Sequence, residues 1–437
     1  MAVSRLDSGH PAVDAAYDKA NRDIAANIVG GAFIAGKEWP TVWVRDASYA
    51  IDLACGPSYP EVSRDTMRSM VSPEGVWAQD RAAHFGGWPN LTDSIVGAVG
   101  VWATFLATGD EDLLRWGFGV TRNSLSRAER EIFDGALFRG CASFMESNSA
   151  YPPTYFFNGR AVGKTKALST NMLYYRAYVL SARMAEFLGE DAAPFEAKAE
   201  RLKDAINQRF WLSKQGYYAY YEDAGRGLST RMEGLGEALA ILWGVADEAR
   251  ADAVLRNTPT TRSGLPCLWP RHPVWRLYLR RAEYYHNGMV WPFVQGYWAW
   301  AAASKLDASR LDSELAKLTE LAGRADTFHE FYRSENGRPD GSPRQMWSAA
   351  GYLAAVHHGL FGITADVDEI RFRPVVPGRF SRLTLHDYSH RHMTLEISIS
   401  GVGTQISSLE LDGVPQLRHS IPCTLTGRHA LAIRMNN

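Results

Sequence analysis

The chain has 437 residues, of which 46% are hydrophobic and 22% charged, as in a globular protein with a large core. Its formal net charge of -1 provides no field that would attract nucleic acid or an anionic membrane, and no apolar run approaches the ~18 residues of a membrane span. The N-terminal sequence lacks the apolar core of a signal peptide. We therefore expect a cytoplasmic protein, or an exported one whose signal has been removed, with neither nucleic acid nor membrane as a partner.

Apolar spacing near 3.6 residues predicts twelve helices, followed by strands. The predicted helical ranges are 12–28, 46–56, 59–70, 92–107, 117–146, 167–187, 192–210, 233–244, 247–256, 290–304, 308–323 and 344–358. After residue 365 the segments EIRFRP, RLTLHDY, MTLEISIS, SSLELDG and HALAIRM alternate apolar and polar residues, which predicts a small antiparallel β domain. The sequence therefore predicts a mainly α protein with a helical domain at 1–362 and a β domain at 363–437.

Unusual residues cluster in the loops before the even-numbered helices, whereas ordinary connectors precede the odd ones. In chain order these clusters contain Trp43, Arg45 and Asp46; Trp88, Asn90 and Asp93; Lys164, Lys166 and Asn171; Arg231, Glu233 and Glu237; Tyr285, His286, Asn287 and Trp291; and Glu330, Glu335, Gln345 and Trp347. If helical hairpins close into a ring, every inner helix begins at the same end, and we expect these loops to form one mouth. A solenoid is the alternative, but its repeats would resemble one another and these hairpins do not.

The residue types in these loops indicate a class of chemistry. Aromatic residues make up 12% of the chain, with 14 Trp and 19 Tyr, which suits either a plain core or a pocket that stacks on sugar rings. Opposed carboxylates are what glycoside hydrolysis needs, because one protonates the leaving oxygen while another activates water or attacks the anomeric carbon. Carboxylates also bind metals, but we find no HExxH or EF-hand pattern. The cysteines Cys55, Cys141, Cys267 and Cys423 form no CxxC pair, so we expect reduced thiols and no metal or cofactor.

Five segments carry a resemblance to a known superfamily. They are VWVRD at 42–46, WPNLTDSIVGAVGVWATFLATGDEDLL at 88–114, KALSTNMLYYRA at 166–177, YHNGMVWP at 285–292 and HEFYRSENGRPDGSPRQMWSAA at 329–350. The chain resembles the six-hairpin (α/α)6 glycosidases, most closely the group of amylo-α-1,6-glucosidases, processing α-glucosidases and mannosylglycerate hydrolases. The segment RFRPVVPGRFSRLTL at 371–385 resembles the β appendage of such enzymes. The resemblance implies an (α/α)6 barrel catalytic domain followed by a small β domain.

The resemblance also implies roles for individual residues. Asp93 would be the general acid and Glu330 the general base of an inverting mechanism, and Arg45 with Asp46 would hold hydroxyls of the innermost sugar. The other residues implied to bind substrate are Trp43, Trp88, Asn90, Lys166, Asn171, Glu233, Tyr285, His286, Asn287, Trp291, Glu335, Gln345 and Trp347.

Several of these residues have a second interpretation. Asp93 is also a reasonable helix cap, and Arg45 with Asp46 also suits a structural ion pair. Glu335 is a rival to Glu330 as the base, and His286 is also a typical hydrogen-bonded structural histidine. Lys164 and Lys166 suit either a solvated loop or an anionic group on the substrate.

Two departures bear on the substrate. The chain lacks the N-terminal domains of debranching enzymes, and KALSTN replaces their acidic segment. We therefore predict an exo-acting hydrolase of a short α-linked oligosaccharide or small glycoside. A glycoside phosphorylase and a non-catalytic carbohydrate-binding protein are the alternatives.

Overall fold

The computed structural model describes residues 4–80, 87–155, 159–272 and 284–436. Twelve helices of seven or more residues lie in these ranges, each in or next to one of the predicted segments. They are α1 Pro11–Ala25, α2 Val44–Ala50, α3 Pro60–Ser69, α4 Gly97–Thr108, α5 Glu111–Glu131, α6 Leu168–Phe187, α7 Ala193–Phe210, α8 Gly234–Leu242, α9 Glu248–Asn257, α10 Pro292–Ser304, α11 Ala308–Ala322 and α12 Met346–Ala354. Helices α2 and α12 continue as π-helical turns at Ile51–Cys55 and Ala355–Leu360.

The predicted fifth helix, 117–146, is wrong at both ends. Helix α5 begins at Glu111 and ends at Glu131. Beyond it the Asp134 carboxylate accepts two backbone amides of its own turn, and Gly135 adopts a φ of +97°. Apolar residues keep a helical spacing through this region, but Asp-Gly is a turn dipeptide and ends the helix. The chain that follows is therefore a loop, and it carries part of the candidate site.

The even-numbered helices pack against one another in succession. Contacts run from α2 to α4, α6, α8, α10 and α12, and α12 packs against α2. Odd-numbered helices cover them, since α5 packs on α4 and α6, α11 on α10, and α1 on α12. Helices α10 and α12 approach each other closely, since a Cβ on Gly296 would lie 2.5 Å from the Cα of Gly351. A side chain at either glycine would push these two helices apart.

Short strands lie before and between the helices, and some of them pair as small hairpins. They are β1 Arg5–Asp7, β2 Ile28–Val29, β3 Ala32–Phe33, β4 Lys166–Ala167, β5 Trp211–Leu212, β6 Tyr217–Tyr218, β7 Tyr221–Asp223, β8 Gly227–Ser229, β9 Met232–Glu233, β10 Leu268–Trp269, β11 His329–Tyr332 and β12 Pro339–Pro343. Strands β11 and β12 pair antiparallel, so the segment expected to be a loop before the twelfth helix is a hairpin.

The C-terminal region is a β structure, as the alternating pattern predicts. Its strands are β13 Ile363–Ala365, β14 Glu369–Phe372, β15 Arg382–His390, β16 Met393–Ser400, β17 Gln405–Leu411, β18 Val414–Pro415, β19 Ser420–Pro422 and β20 Gly427–Asn436. The main sheet has the order β1-β15-β16-β20-β17-β18. The prediction of an all-antiparallel sheet is wrong at one pair, because β16 and β20 run parallel.

The N-terminal strand β1 joins this sheet by pairing with β15. One cluster of buried apolar residues also extends from the helices into the sheet. At the junction the Tyr17 hydroxyl lies 2.8 Å from His357 Nε2, and the His357 ring contacts Tyr388 of β15. A domain boundary at 362 stays a prediction, since the sheet includes residues from both sides of it.

Cys55, Cys141, Cys267 and Cys423 are all buried free thiols. Of the helices in the described ranges, none has the length and apolar character needed to cross a membrane.

Candidate active site

The Arg45 guanidinium lies at the start of α2 and contacts three carboxylates from three other segments. Its Nε lies 2.9 Å from Asp80 Oδ2 and 3.6 Å from Asp93 Oδ2, and its Nη1 lies 2.7 Å from Glu146 Oε2. Asp80 also accepts the backbone amides of Val44 and Arg45, which fixes the first turn of the helix. The loops before α2, α4 and α6 therefore meet at one buried cation.

Asp93 opens a single 3₁₀ turn, Asp93–Val96, that leads into α4. Its Oδ2 accepts hydrogen bonds from the Ser143 hydroxyl at 3.2 Å and the Phe144 amide at 3.1 Å, and its Oδ1 accepts one from Gln79 at 3.3 Å. All three donors lie outside its own helix. Its side chain makes none of the hydrogen bonds of a helix cap, and its partners are those of the polar centre.

Asp46 follows Arg45 in the first turn of α2 and is buried. Its Oδ1 accepts a 2.9 Å hydrogen bond from Nε2 of Gln345, the residue that precedes α12. Burial raises the pKa of Asp46 well above its ordinary value, the Arg45 charge opposes this rise, and nearby negative charges, including that of Glu330, add to it. The effect of the Glu330 charge on Asp46 indicates that Glu330 lies near this centre as well.

Glu330 lies in strand β11 of the β11–β12 hairpin and is 5% exposed. Its Oε2 accepts hydrogen bonds from the Ser342 amide at 3.0 Å and the Trp39 indole at 3.4 Å. Burial raises its pKa to about 7, and these two donors oppose the rise. Gly341 makes room for the carboxylate, because a Cβ there would lie 2.7 Å from Glu330 Oε2 and the residue has a φ of +71°.

Aromatic rings pack beside these carboxylates. Trp291 stacks on His286 and on Phe331, with ring centroids 5.0 Å and 5.1 Å apart, and Trp347 lies 5.8 Å from Trp291. Tyr285, which precedes His286, has a φ of +52° and its hydroxyl is coupled electrostatically to Glu330. The YHNGMVWP and QMW segments therefore form one aromatic wall.

The surroundings of His286 in this wall favour its neutral form. Burial lowers its pKa well below the usual range, and the Arg45 charge lowers it further. Its Nδ1 lies 2.9 Å from the Ser147 hydroxyl.

Buried polar atoms of the site have no hydrogen-bond partner within the described ranges. They are Trp43 Nε1, Gln79 Oε1, His286 Nε2, Gln345 Oε1 and Trp347 Nε1. Leaving such an atom unsatisfied costs about 1 to 3 kcal/mol. A cluster of these atoms beside acidic groups is typical of a site that binds a polar ligand.

Three predicted substrate ligands have their hydrogen bonds taken up by the protein. Asn171 bonds the backbone of Phe138 and Ala167, and Asn287 bonds both backbone groups of His272. Lys166 forms ion pairs with acidic residues. The hydrogen bonds and ion pairs of these three side chains hold loops in place.

Four other predicted residues also have partners of their own. Trp88 donates to Glu131 and lies under Arg127 of α5, while the exposed Glu335 pairs with Arg271 at 3.0 Å. The Asn90 carbonyl accepts the Cys141 thiol at 3.4 Å. Glu233 Oε2 accepts the Ser169 amide at 3.0 Å, whereas its buried Oε1 has no partner within the described ranges. Burial raises the pKa of Glu233 to about 8.

Sequence reasoning missed Asp80, Glu146, Trp39, Gln79 and Ser143. Glu146 and Ser143 were assigned to a helix that ends earlier, and the Asp-Gly turn was the available signal. The other three lie before α2 and α4, in the same kind of loop that supplies the predicted residues. No cluster of His, Cys, Asp and Glu in the described ranges has a geometry that would hold a metal ion.

The helical architecture and this acidic, aromatic centre are typical of the six-hairpin glycosidase superfamily. A family model described as the mannosylglycerate hydrolase MGH1-like glycoside hydrolase domain matches residues 88–348, which is more than half of the chain. The protein therefore belongs to this family.

Among curated proteins, a mannosylglycerate hydrolase of Rubrobacter radiotolerans is 28% identical over 199 residues. The match covers 43% of each protein, so the chain spans less than half the length of this relative. Among solved structures, a sialidase superposes with a TM-score of 0.74 at 14% identity over 94% of this chain and 40% of its own. The GH63 mannosylglycerate hydrolase of Thermus thermophilus, in complex with Tris and D-glycerate, has a TM-score of 0.64 at 15% identity, over 78% of this chain and 100% of its own. Both structures support the fold.

Proposed function

We propose that the protein is an exo-acting, inverting hydrolase of a small α-linked glycoside, with Asp93 as the general acid and Glu330 as the general base. The observation that carries the proposal is that both carboxylates lie beside the adjacent buried residues Arg45 and Asp46: Asp93 contacts Arg45, and the Glu330 charge acts on Asp46. An inverting pair has its carboxyl groups about 6.5 to 9.5 Å apart, with water between one of them and the sugar.

The proposed fold is an (α/α)6 barrel of six hairpins. The succession of contacts from α2 through α12 and back to α2 supports a closed inner ring. In such a ring the loops before the even helices share one end, where Arg45, Asp93 and Glu330 all lie. The proposed catalytic domain is 1–362, followed by the β domain at 363–437.

In the proposed mechanism, Asp93 donates its proton to the glycosidic oxygen while the bond to the anomeric carbon breaks. Glu330 takes a proton from a water molecule, whose oxygen attacks the opposite face of the sugar. Its pKa of about 7 suits this role, because a base works best near the pH at which it operates. The sugar released has the anomeric configuration opposite to that of the substrate.

The proposed sugar ligands are the groups of the site that have hydrogen-bonding capacity left. Asp46, held by Gln345, would bind hydroxyls of the innermost sugar. Trp43, His286 and Trp347 would donate or accept through their unpartnered nitrogens. Glu233 would bind through its unpartnered Oε1. Trp291 and Tyr285 would shape the pocket wall, whereas we propose supporting roles for Trp88, Asn90, Lys166, Asn171, Asn287 and Glu335.

The relatives named as mannosylglycerate hydrolases suggest the substrate class. We propose a hexose α-linked to a small polar aglycone, and a glycerate glycoside is the first compound to test. The test is incubation with glucosyl- and mannosylglycerate and with α- and β-linked disaccharides, followed by proton NMR of the first anomer released. Release of the β anomer from an α-glycoside supports the proposal. Release of the α anomer, or turnover that requires phosphate and yields a sugar phosphate, contradicts it.

Variants test the residue assignment. We expect Asp93→Asn and Glu330→Gln to lose turnover of this glycoside while remaining folded. The matched control is Glu335→Gln, since Glu335 was the rival base and its side chain is 64% exposed and paired with Arg271. Near-normal turnover by Glu330→Gln, with loss in Glu335→Gln, would transfer the role of base to Glu335.

A further inference from the structure

The Ser143 hydroxyl lies between two other buried side chains of the candidate site. Its Oγ is 3.2 Å from Asp93 Oδ2 and 2.7 Å from the Tyr49 hydroxyl, and none of the three residues is more than 2% exposed. They come from three segments, since Tyr49 lies on α2, Ser143 in the loop after α5 and Asp93 in the turn before α4. One serine therefore joins α2 to the proposed acid.

The direction of these two hydrogen bonds follows from the groups at their ends. A hydroxyl has one proton to donate, whereas a carboxylate only accepts. When Asp93 is ionised, Ser143 donates to it, and the Tyr49 phenol must then donate to Ser143. Burial raises the pKa of Tyr49 well above its ordinary value, although the hydrogen bond with Ser143 opposes the rise, so the phenol keeps the proton that this bond needs.

The two oxygens of Asp93 have different surroundings. Oδ2 accepts the Ser143 hydroxyl and the Phe144 amide at 3.1 Å, and Arg45 Nε lies 3.6 Å away. Within the described ranges, Oδ1 accepts only a 3.3 Å hydrogen bond from Gln79. An amide and a guanidinium can only donate, so a proton on Oδ2 would face other donors. A proton on Oδ1 displaces fewer of them.

Packing holds the Tyr49 ring and the Ser143 backbone in place. The Tyr49 ring contacts those of Phe293 and Tyr297, with centroids 5.4 Å and 5.8 Å apart. The Ser143 amide donates to Ser169 Oγ at 2.9 Å. None of these contacts uses the phenol hydroxyl. Its removal should therefore free the rotation of the Ser143 hydroxyl while the ring and the loop stay in position.

We propose that Tyr49 is a positioning residue for the reaction: its phenol directs the Ser143 hydroxyl to Oδ2 of Asp93, which leaves Oδ1 as the oxygen that delivers the proton. The inference rests on the proposed function, because it takes Asp93 as the general acid. The proton passes from Oδ1 to the glycosidic oxygen, which keeps the electron pair of the breaking bond. Asp93 is then ionised, and Ser143 still donates to Oδ2.

The test compares the wild type with Tyr49→Phe on two substrates. They are mannosyl- or glucosylglycerate, whichever the wild type hydrolyses, and the α-fluoride of the same sugar, whose leaving group needs no proton. For Tyr49→Phe we expect kcat on the glycoside to fall by about 3- to 10-fold, the size of one hydrogen bond, with KM and the rate on the fluoride unchanged. An equal fall on both substrates would show a purely structural role and would overturn the inference.

Tyr352→Phe is the matched control. Tyr352 is a buried tyrosine of α12 whose hydroxyl donates to the Val13 carbonyl at 2.9 Å. This variant also loses one buried phenol hydroxyl, but its rates on both substrates should stay at the wild-type level. A fall on the glycoside alone in Tyr352→Phe, equal to that in Tyr49→Phe, would contradict a specific role of Tyr49.

A double mutant tests whether Tyr49 acts through Ser143. Ser143→Ala should lower kcat on the glycoside at least as far as Tyr49→Phe does. Combining the two changes should add nothing, because residues that act in one hydrogen-bond network are not additive. Losses that add would overturn the inference. If Ser143→Ala does not fold, the comparison of Tyr49→Phe on the two substrates decides alone.

Asp93→Asn separates the inference from the proposed function. Loss on the glycoside with retention on the fluoride in this variant, together with wild-type rates in Tyr49→Phe, contradicts only the role of Tyr49. Full activity of Asp93→Asn on the glycoside, or a wild type that hydrolyses neither the glycosides nor the fluorides, contradicts the proposed function and with it the inference.

Discussion

The two sides of the candidate site bury their carboxylates in different surroundings. Asp93 is 2% exposed and receives hydrogen bonds from Gln79, Ser143 and Phe144 beside the Arg45 cation, whereas Glu330 is 5% exposed and receives an indole and one amide. Both groups are buried, but only Asp93 lies beside a cation, whereas burial raises the pKa of Glu330 to about 7 and its two donors oppose the rise. The following experiments test the proposed role of each of these two carboxylates separately.

The largest effect is expected for Asp93→Asn. We expect kcat for a glycoside with a poor leaving group to fall by about 10³-fold, because the leaving oxygen then receives no proton. With the glycosyl fluoride of the same sugar the loss should be far smaller, since fluoride needs no acid. Steady-state rates with the two substrates make this comparison. Equal losses on both would contradict the role of Asp93 as acid.

A loss of similar size, about 10³-fold, is expected for Glu330→Gln with both substrates, because activation of water is needed whatever the leaving group. Added azide, which needs no deprotonation, should restore turnover and give a glycosyl azide of inverted configuration, identified by NMR. Rescue of Asp93→Asn by azide in place of Glu330→Gln would exchange the two roles.

The pH dependence of the wild type should report Glu330. The base must be ionised to accept a proton from water, and its pKa is about 7, so kcat/KM should rise through this pH. At pH 5 we expect about 100-fold less activity than on the plateau, because the ionised fraction falls tenfold per unit. A profile that is flat from pH 5 to 8 would contradict the assignment.

The stability of the protein should also depend on the ionisation of Glu330, but it should fall with rising pH whereas kcat/KM rises. The pKa of Glu330 in the folded protein is raised from 4.5 to about 7. As the pH rises from 4.5 to about 7, the unfolded chain loses the Glu330 proton while the folded protein keeps it, so the free energy of unfolding falls. Glu330→Gln removes this loss, and we expect it to be more stable than the wild type by up to about 3 kcal/mol at pH 8, with little difference at pH 4. Urea unfolding at the two pH values measures it, and Glu335→Gln is the exposed control.

The smallest effect is expected for Trp39→Phe. The Trp39 indole donates to Glu330 at 3.4 Å and so opposes the rise of its pKa. Without this donor, the acidic limb of kcat/KM should move up by a few tenths of a pH unit, which is the size expected of one long hydrogen bond. A downward shift would show that the indole destabilises the ionised carboxylate.

The sequence predicts the helical order well, because the apolar repeat persists through all twelve helices. It fails at α5, where Phe138 and its neighbours keep that repeat past an Asp-Gly turn. It also fails to predict that β16 and β20 run parallel, since alternation gives the faces of a strand and not the direction of its neighbour.

In the site, the pattern of even-numbered loops identified Arg45, Asp46, Asp93, Glu330 and Gln345, which the structure brings to one centre. The same pattern also selected polar residues that serve the backbone of their own loops. Sequence alone gives no way to tell these apart, because both uses need the same side chains in the same irregular segments. Which of the two roles a polar side chain has depends on the residue that it contacts in the folded structure.

The pairing of β1 with β15 places two distant parts of the chain in one sheet, and α1 packs on α12 beside it. During synthesis, β1 therefore gains its partner strand only after His386 has been added, and α1 gains α12 only after Ala354. The contact between β1 and β15 joins residues that are far apart in the sequence, and contacts of high sequence separation slow folding. In the folded protein β1 covers the edge of β15, so fraying of β1 would expose a strand edge that contains Leu383 and Leu385, and an exposed edge favours pairing with another chain.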